Sequence, residues 1–387
     1  MRITTWLGLL VLLAGTGASA QETPSPALLV LHKGENAMAI VDPSSGQVLG
    51  RVPTGQDPHE LAVSTDGRLA FASNYGGFGP QGGNSLSVID IAARKELHRV
   101  DLSPLSRPHG LWFADGKLYF TVEANLAIGR YDPASNKVDW ILGTGQERTH
   151  MIVVSKDQKT IFTSNVSSNT ISIIERGNSR QGPPGPGGPP GGPPPDGQGG
   201  PPPGGPPGGP PPGGPPPGPG GPPGGPPRGG PGGPGGPGWR QTIILVGRGP
   251  EGFDVSPDGK ELWTAHMGDG RVSVIDVATK KLVRTIDVGA RSPNRLKFTP
   301  DGQQVLISEI FGGGLIVLDA STGSEIKRLK LGRGASGILV TPDGSRAFVA
   351  MTGENAVAVI DLKTLTESAR LKTGAGPDGM AWLERAP

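Results

Sequence analysis

The sequence predicts an all-β protein made of seven four-stranded antiparallel units. The first observation is self-similarity, because the segments that begin at Ser256, Thr299 and Thr341 share a Pro-Asp-Gly turn, an apolar stretch, a Val/Ile-rich stretch and a final amphipathic stretch. The second is that helical periodicity is almost absent. The third is the repeat length: outside two unusual segments, the chain averages about 44 residues per unit, which suits a four-stranded repeat.

Each unit reads as four strands in order. A short apolar strand such as Leu61–Val63 comes first, and an Asp-Gly pair then predicts a tight hairpin turn. The second strand is apolar and β-prone, and the third is rich in Val and Ile and ends in Asp. The fourth is amphipathic and ends near Gly. The Asp-Gly pairs are Asp66-Gly67, Asp115-Gly116, Asp258-Gly259, Asp301-Gly302 and Asp343-Gly344.

The two ends of the chain each supply part of one unit. The first-strand motif occurs seven times, starting at Pro58, Pro108, Thr149, Pro250, Pro293, Ala335 and Pro377. The last copy, Pro377–Leu383, lacks the three following strands, and Ala27–Pro53 lacks the first strand. We therefore expect a seven-bladed β-propeller of four-stranded blades, a ring closed where the C-terminal strand completes the N-terminal blade.

The repeats resemble those of the YVTN-repeat seven-bladed propellers, which include YncE-like proteins and are related to the d1-haem domain of nitrite reductases. The resemblance rests on Phe162–Asn165 with Thr170–Ile174, and on Ser256–Gly259 with Val272–Asp276. It covers nearly all of Ala27–Glu384 outside the insertion described below. It implies the propeller fold, but this architecture supports enzymes, binding proteins and scaffolds alike.

Residues 1–20 have the features of an export signal. Arg2 supplies a positive charge, Trp6–Ala14 is apolar, and Ala18-Ser19-Ala20 is a small-residue cleavage site. We expect a mature protein that begins at Gln21, carries no transmembrane segment and lies in the periplasm or outside the cell. An uncleaved membrane anchor is the alternative interpretation.

Residues 181–238 form a low-complexity insertion. Every residue in this segment is Gly or Pro except Gln181, Asp196, Gln198 and Arg228. It interrupts blade 4 between its third and fourth strands and so separates residues 21–180 from residues 239–387. With almost nothing apolar to bury, it is expected to be disordered with polyproline II character. It is either a tolerated surface loop or a tether to the cell wall or to a proline-recognising partner.

Composition restricts the chemistry. The chain has no Cys, which excludes disulfides, thiolate zinc sites, iron–sulfur clusters and a thiol nucleophile. The formal net charge is only +2, so total charge favours no polyanionic partner. With 3 Tyr and 9 Phe, aromatic platforms for single-stranded nucleic acid are sparse. Nucleic-acid binding, described for YncE-like proteins, is therefore the less favoured prediction.

The second position of the first strand predicts a metal site. Across the seven blades it holds His59, His109, His150, Glu251, Asn294, Ser336 and Asp378. Equivalent positions of successive blades converge at one mouth of the central channel. Imidazole and carboxylate ligands without Cys suit Zn, Fe, Mn, Cu or Ni. We therefore predict a transition-metal site of His59, His109, His150 and Glu251, although each His could instead cap a blade loop by hydrogen bonding.

The ends of the second strands face the same mouth. There His32 and His266 are predicted acid/base groups, because imidazole titrates near neutrality. Glu123 and Glu309 are predicted to orient the metal-bound imidazoles by accepting their second N–H.

Arginines precede the first strands. Arg107, Arg148, Arg248 and Arg333 lie two or three residues before the second position and are predicted to bind an anionic substrate. Solvated loop charges are the alternative interpretation.

These observations favour an exported, monomeric, metal-dependent enzyme, a lyase or an oxidoreductase, acting on a small anionic molecule. The alternatives are a propeller that binds a ligand, a tetrapyrrole or nucleic acid without catalysis, and a cell-surface scaffold. A tetrapyrrole cofactor is less favoured than a metal ion.

Overall fold

The computed structural model describes residues 25–77, 79, 82–177 and 238–384. The predicted signal peptide, 1–20, and most of the insertion, 181–238, lie outside the described residues.

The described residues form seven antiparallel sheets of four strands each. Blade 1 contains β1 (Ala27–His32), β2 (Ala37–Val41), β3 (Val48–Pro53) and the C-terminal β28 (Pro377–Leu383). Blade 2 contains β4 (Pro58–Val63), β5 (Leu69–Asn74), β6 (Ser85–Asp90) and β7 (Lys95–Asp101). Blade 3 contains β8 (Pro108–Ala114), β9 (Lys117–Val122), β10 (Ala127–Asp132) and β11 (Lys137–Gly143).

The remaining blades follow the same order. Blade 4 contains β12 (Thr149–Val154), β13 (Thr160–Asn165), β14 (Thr170–Arg176) and β15 (Trp239–Leu245). Blade 5 contains β16 (Pro250–Val255), β17 (Glu261–His266), β18 (Arg271–Asp276) and β19 (Lys281–Asp287). Blade 6 contains β20 (Pro293–Phe298), β21 (Gln304–Glu309), β22 (Gly314–Asp319) and β23 (Glu325–Lys330). Blade 7 contains β24 (Ala335–Val340), β25 (Arg346–Met351), β26 (Ala356–Asp361) and β27 (Thr366–Leu371).

The inner strands form a closed ring, and the predicted seven-bladed propeller is confirmed. The inner strand of each blade contacts that of the next, and β28 of blade 1 lies between β24 and β4. β28 pairs with β1 in the register Leu28↔Trp382 and Leu29↔Ala381, so the chain closes between its two ends as predicted. Two 3₁₀ turns, Glu123–Asn125 and Thr352–Glu354, follow β9 and β25.

The core is a set of seven apolar layers, one between each pair of neighbouring blades. The middle strands are buried on both faces, as in β1, where all six residues are buried. The outer strands alternate exposed and half-buried residues, as in β11. This difference explains why the third strands read as continuous Val/Ile runs and the fourth strands as amphipathic ones.

All five Asp-Gly pairs lie in the hairpin turn between the first two strands of a blade, as predicted, but the turns differ in length. Only Asp115-Gly116 has positive φ at both residues, as a two-residue type I′ turn requires. In blade 2, the Ser64 hydroxyl donates to the Asp66 carboxylate at 2.6 Å, and that carboxylate also accepts from the Arg68 backbone N–H. These bonds stabilise a longer turn. Blades 5, 6 and 7 repeat the network, whereas blade 3 has Ala114 in place of the hydroxyl residue.

The strands that flank the insertion in the sequence, β14 and β15, are paired in blade 4, and the end of β14 and the start of β15 lie at one end of that sheet. Arg176 pairs with Trp239 there, whereas Thr149 lies at the other end of the same sheet. The chain therefore leaves and re-enters the blade away from the channel mouth that carries the histidines. Within the described residues, no helix has the length and apolar character needed to cross a bilayer.

Candidate metal centre

A β-bulge places the second residue of each inner strand. In blade 4, Thr149 pairs with Asn165 and Ile152 with Thr163, so the register shifts by one residue between them, where His150 lies. The same shift occurs in all seven blades. Because a bulge re-aims the side chains it contains, this repeated irregularity sets the direction of the second-position side chains.

Neighbouring blades hold the backbone of these bulges. A Cβ on Gly110 of blade 3 would lie 2.5 Å from the His150 carbonyl oxygen of blade 4, so only glycine permits this approach. The Thr121 hydroxyl donates to that carbonyl at 2.7 Å, and the Ser164 hydroxyl likewise donates to the Glu251 carbonyl at 2.9 Å. The position of each candidate side chain is therefore fixed by the preceding blade.

Three histidines from successive blades form a row. His59 Nδ1 lies 3.1 Å from His109 Nε2, and the rings of His109 and His150 have centroids 3.8 Å apart. Tyr75 stacks on His59 with centroids 4.5 Å apart, and Asp57 contacts His59 Nε2 at 3.2 Å. The three histidines are buried. The predicted convergence of His59, His109 and His150 is thus present in the fold.

Two buried carboxylates flank the imidazole of His150. Glu123 Oε1 makes a short contact with Nδ1, and Glu251 Oε2 lies 2.7 Å from Nε2. The other oxygen of Glu123, Oε2, accepts a 2.7 Å hydrogen bond from the Tyr75 hydroxyl. Glu251 Oε2 is close to Nε2 without making an aligned hydrogen bond, and this nitrogen has no hydrogen-bond partner among the described residues.

The surroundings of His109 and His150 shift their pKa values in opposite directions. Burial, together with the neighbouring His150 and His59, lowers the pKa of His109 well below its usual value. Burial also opposes protonation of His150, but Glu251 and Glu123 outweigh it and raise the pKa of His150. Burial raises and His150 lowers the pKa of both flanking carboxyls, and the net effect is to lower the pKa of Glu123 and Glu251. His109 is therefore neutral and the carboxylates are ionised, the states in which each binds a metal.

His109, Glu123 and His150 form a group that could hold a metal ion. One donor atom from each lies within 4.8 Å of the other two, and all three residues are buried. The Nδ1 atom of His109 is buried and has no hydrogen-bond partner in the part of the chain that the structure describes. A polar atom left in this state is costly unless a ligand satisfies it, so the donor set and its unpartnered nitrogens both suit a cation.

The surrounding charges also suit a cation. The linked buried and half-buried groups include more carboxylates than permanent cations, so they carry excess negative charge while the histidines are neutral. The carboxylates are Asp57, Glu60, Glu123, Glu251 and Asp378, and the cations are Lys33, Arg148 and Arg295.

His32 and His266 lie at the ends of β1 and β17 as predicted, but their polar contacts are with other residues. His32 Nε2 contacts the Thr373 hydroxyl at 3.0 Å, and His266 Nδ1 contacts Asp269 at 3.2 Å. Burial lowers the pKa of His32 to about 4 and also lowers the pKa of His266. Among the described residues, neither His32 nor His266 makes a hydrogen bond or ring contact with the histidine row.

Glu123 and Glu309 have different surroundings although both lie at the end of a second strand. Glu123 contacts His150, as expected of a residue that orients an imidazole, and it also belongs to the potential donor set. Glu309 accepts from the Arg291 backbone N–H at 2.9 Å and lies 3.3 Å from Arg328 Nη1. Its contacts are with arginines of the loop and outer strand.

Of the four predicted substrate arginines, Arg148 contacts the flanking carboxylates directly. It lies 3.5 Å from Glu123 and 3.4 Å from Glu251, and its side chain is 37% exposed. Arg107 lies over the Tyr75 ring, with its guanidinium carbon 5.7 Å from the centroid. Arg248 and Arg333 donate instead to the loop carbonyls of Gly268 and Gly353.

Sequence reasoning missed four participants. Tyr75 follows β5 by one residue, and Glu60 and Arg295 occupy the third rather than the second position of their inner strands. Lys33 is 2.5 Å from Asp378, a second-position residue to which no role was given. A signal was present for Glu60 and Arg295, because they are the two charged residues at a position that is glycine in four other blades.

Fold and site together define a seven-bladed β-propeller with a buried histidine–carboxylate cluster at one channel mouth. No protein-family model matches the sequence, and no curated protein matches it significantly. Many solved structures share the fold. A protein of unknown function from Desulfotomaculum acetoxidans has a TM-score of 0.67 at 12% identity, covering 94% of this chain and 100% of its own.

Two further structural relatives carry functional descriptions. A candidate 6-phosphogluconolactonase from Bacteroides uniformis has a TM-score of 0.64 at 14% identity, covering 92% of this chain and 99% of its own. The dihydro-haem d1 dehydrogenase NirN, solved in complex with DHE, has a TM-score of 0.56 at 13% identity, covering 92% of this chain and 74% of its own. At these sequence identities the similarity shows a shared fold and no more than that.

Proposed function

We propose that this protein is a metal-dependent enzyme that acts on a small anionic molecule. The observation that carries the proposal is the buried group of His109, Glu123 and His150, whose donor atoms lie within 4.8 Å of one another. A stability role alone does not account for so many buried titratable groups, because unpaired polar atoms and buried charges are costly. Further support is that one structural relative is a dehydrogenase and another is described as a candidate lactonase.

The residues would have distinct tasks. His109, His150 and Glu123 would bind the ion, with Glu251 on the other side of His150 and His59 held against His109 by Asp57 and Tyr75. A bound metal supplies a Lewis acid that stabilises developing negative charge on a substrate oxygen. Arg148 reaches both flanking carboxylates from the half-exposed rim and is the group best placed to receive a substrate carboxylate or phosphate. His32 and His266 stay candidate acid/base groups for a substrate extending along the rim.

The reaction is proposed to be that of a lyase or an oxidoreductase. Neutral His109 would bind the metal ion, and the ionised carboxylates of Glu123 and Glu251 would be able to accept a proton from the substrate. In this proposal His150, whose pKa is raised by its two carboxylates, loses its proton when the cation binds. Metal binding is therefore expected to release protons.

Metal analysis of the purified mature protein tests the proposal. We expect one transition-metal ion per chain, lost in a His59/His109/His150 triple Ala variant and retained in His98→Ala, whose imidazole contacts Tyr131 on the outer part of blades 2 and 3. Equal metal content in the triple variant, or no stoichiometric metal in the wild-type protein after reconstitution, would contradict the proposal.

A second candidate is tetrapyrrole binding without catalysis. It is favoured by one observation: NirN, which shares the fold, was solved in complex with DHE. The imidazole of His59 or His109 would then be the group that binds the haem iron. Titration with haem, followed by its Soret absorbance, separates the candidates, because the metal proposal predicts that excess haem leaves bound Zn²⁺ in place.

We also propose that the protein is exported and that segment 181–238 contacts a cell-wall or proline-recognising partner. The support is the sequence pattern of residues 1–20 and the attachment of the insertion to the strand ends of blade 4 that lie away from the histidines. Fractionation of cells producing the full chain, and of cells producing a variant lacking 181–238, tests both parts. Cytoplasmic retention would refute export, and unchanged wall association of the variant would refute the tether.

A further inference from the structure

An ion pair between buried Arg295 and half-buried Glu60 crosses the channel directly beside the candidate metal centre. The third position of the inner strands holds Glu60, Gly110, Met151, Gly252, Arg295, Gly337 and Gly379 in the seven blades. The two charged members come from blades 2 and 6, which are not neighbours in the ring. Arg295 Nη2 nevertheless lies 2.6 Å from Glu60 Oε1, so the pair spans the channel.

The same guanidinium also reaches the candidate metal centre. Arg295 Nη1 lies 3.5 Å from Glu251 Oε2, the oxygen that lies 2.7 Å from His150 Nε2. Glu251 Oε1 lies 3.4 Å from Arg148. Arg295 is 7% exposed, and its backbone N–H donates to the buried Ser308 hydroxyl at 3.1 Å. The Glu251 carboxylate is thus held between an imidazole and two guanidinium groups.

Stability does not explain this pair. Taking two charges out of water costs about as much as their attraction returns, and well-packed apolar residues in their place are often neutral or stabilising. Glu60 and Arg295 line a cavity of about 430 Å³ together with side chains such as Leu61, Trp112 and Met380. A small apolar residue would have fitted this environment.

We infer that Arg295 is a positioning residue that holds the Glu251 carboxylate against His150, and that Glu60 holds Arg295 in place. This inference rests on the proposed function for its consequence, because a displaced Glu251 weakens the metal centre. Its structural part, the orientation of Glu251 toward His150, is independent of any metal.

A double variant separates positioning from folding. Arg295→Met alone leaves half-buried Glu60 and buried Glu251 without this cation, which is expected to be destabilising. In Glu60→Met/Arg295→Met both charges are removed together, and we expect a folded propeller with near wild-type stability. The matched control is Lys297→Met, two residues along the same strand, which removes a cation 3.6 Å from the Asp254 carboxylate and leaves Glu251 untouched.

Two measurements test the inference. In the metal-free protein, the imidazole ¹⁵N shifts of His150 report its contact with Glu251, and we expect them to move in the double variant but not in Lys297→Met. With Zn²⁺ as the probe, the double variant is expected to bind about 10- to 100-fold more weakly, the usual effect of removing an outer-shell partner. Arg295→Lys should bind Zn²⁺ more tightly than the double variant but more weakly than the wild-type protein. Lysine keeps the positive charge but cannot contact the Glu60 and Glu251 carboxylates at the same time.

The outcomes are distinguishable. Unchanged His150 shifts in the folded double variant would overturn the inference whether or not metal binds. Moved shifts with unchanged Zn²⁺ affinity would overturn its consequence for the metal centre. If the wild-type protein binds neither Zn²⁺ nor any other transition metal, the proposed function fails, while the His150 shifts still decide whether Arg295 positions Glu251.

Discussion

At the residue scale, the Glu123 carboxylate connects two parts of the site. Its two oxygens contact different partners, His150 Nδ1 and the Tyr75 hydroxyl, and it also belongs to the group that could hold a metal. Burial and the nearby Glu123 charge raise the pKa of Tyr75 to about 12, so the phenol stays protonated and donates. Glu123 thereby links the histidine row to the aromatic ring that covers His59.

Removing the Glu123 charge is expected to weaken metal binding. In Glu123→Gln we expect Zn²⁺ affinity to fall at least tenfold. The amide is a poor metal ligand, and it lacks the negative charge that Glu123 places beside His150 Nδ1. Isothermal titration with Zn²⁺ measures the change. Glu309→Gln is the matched control, since Glu309 lies equally buried at the end of a second strand but contacts arginines instead. Equal losses in both variants would contradict this role of Glu123.

His32 is expected to make stability depend on pH. Burial lowers its pKa from 6.5 to about 4. Between these values the unfolded chain binds more protons than the native one, so the free energy of unfolding falls as the pH falls. His32 therefore contributes about 3 kcal/mol to the free energy of unfolding above pH 6.5, and this contribution is lost as the pH falls to 4.

Urea unfolding of the wild-type protein and of His32→Gln measures this dependence. The Gln side chain cannot titrate but can still bond the Thr373 hydroxyl. We expect the variant to lose less stability than the wild-type protein between pH 7 and pH 4. Parallel pH profiles would show that His32 does not contribute.

At the element scale, the bulged start of each inner strand is the feature that builds the site. The bulge turns the second-position side chain, and the preceding blade fixes its carbonyl through a glycine and a hydroxyl. The sequence displayed the second-position residues at regular spacing, so His59, His109, His150 and Glu251 were found. It did not display the bulge itself, because a one-residue register shift leaves the residue pattern of the strand unchanged.

The close approach at Gly110 gives an element-scale prediction. In Gly110→Ala the new Cβ would lie 2.5 Å from the His150 carbonyl oxygen, so the blade 4 strand must move. We expect a loss of about 1–3 kcal/mol in the free energy of unfolding, typical of overpacking, and weaker Zn²⁺ binding. Gly143→Ala in the same blade meets nothing within 4 Å and serves as the control. Equal Zn²⁺ affinity in both variants would refute this link between packing and site.

At the scale of the whole molecule, closure of the ring joins chain ends that are far apart in sequence. β28 supplies the inner strand of blade 1 and carries Asp378 to Lys33. The buried β1 would otherwise present an unpaired edge. The ring also brings Glu60 and Arg295 across the channel although 235 residues separate them.

Truncation tests the closure. A chain ending at residue 376 lacks β28, and we expect it to lose the single cooperative unfolding transition and to self-associate through β1. Thermal unfolding and size-exclusion chromatography measure both. A synthetic peptide of residues 375–387 should restore the transition, whereas the same peptide with Leu383→Asp should not, because Leu383 is buried in the layer between blades 1 and 2. A truncated chain that unfolds like the full one would contradict this role of β28.

The sequence by itself determined the repeat, the number of blades, the closing strand and the row of histidines at one channel mouth. These follow from local pattern, since strand alternation, turn residues and repeat length are all readable along the chain. Only the tertiary structure decided which side chains meet. Arg148 reaches the cluster while Arg248 and Arg333 bond their own loops, and Glu123 joins it while Glu309 does not. Contacts across the channel depend on the geometry of the ring and on the direction of the bulges. Neither of these can be read from residues that are neighbours in the sequence.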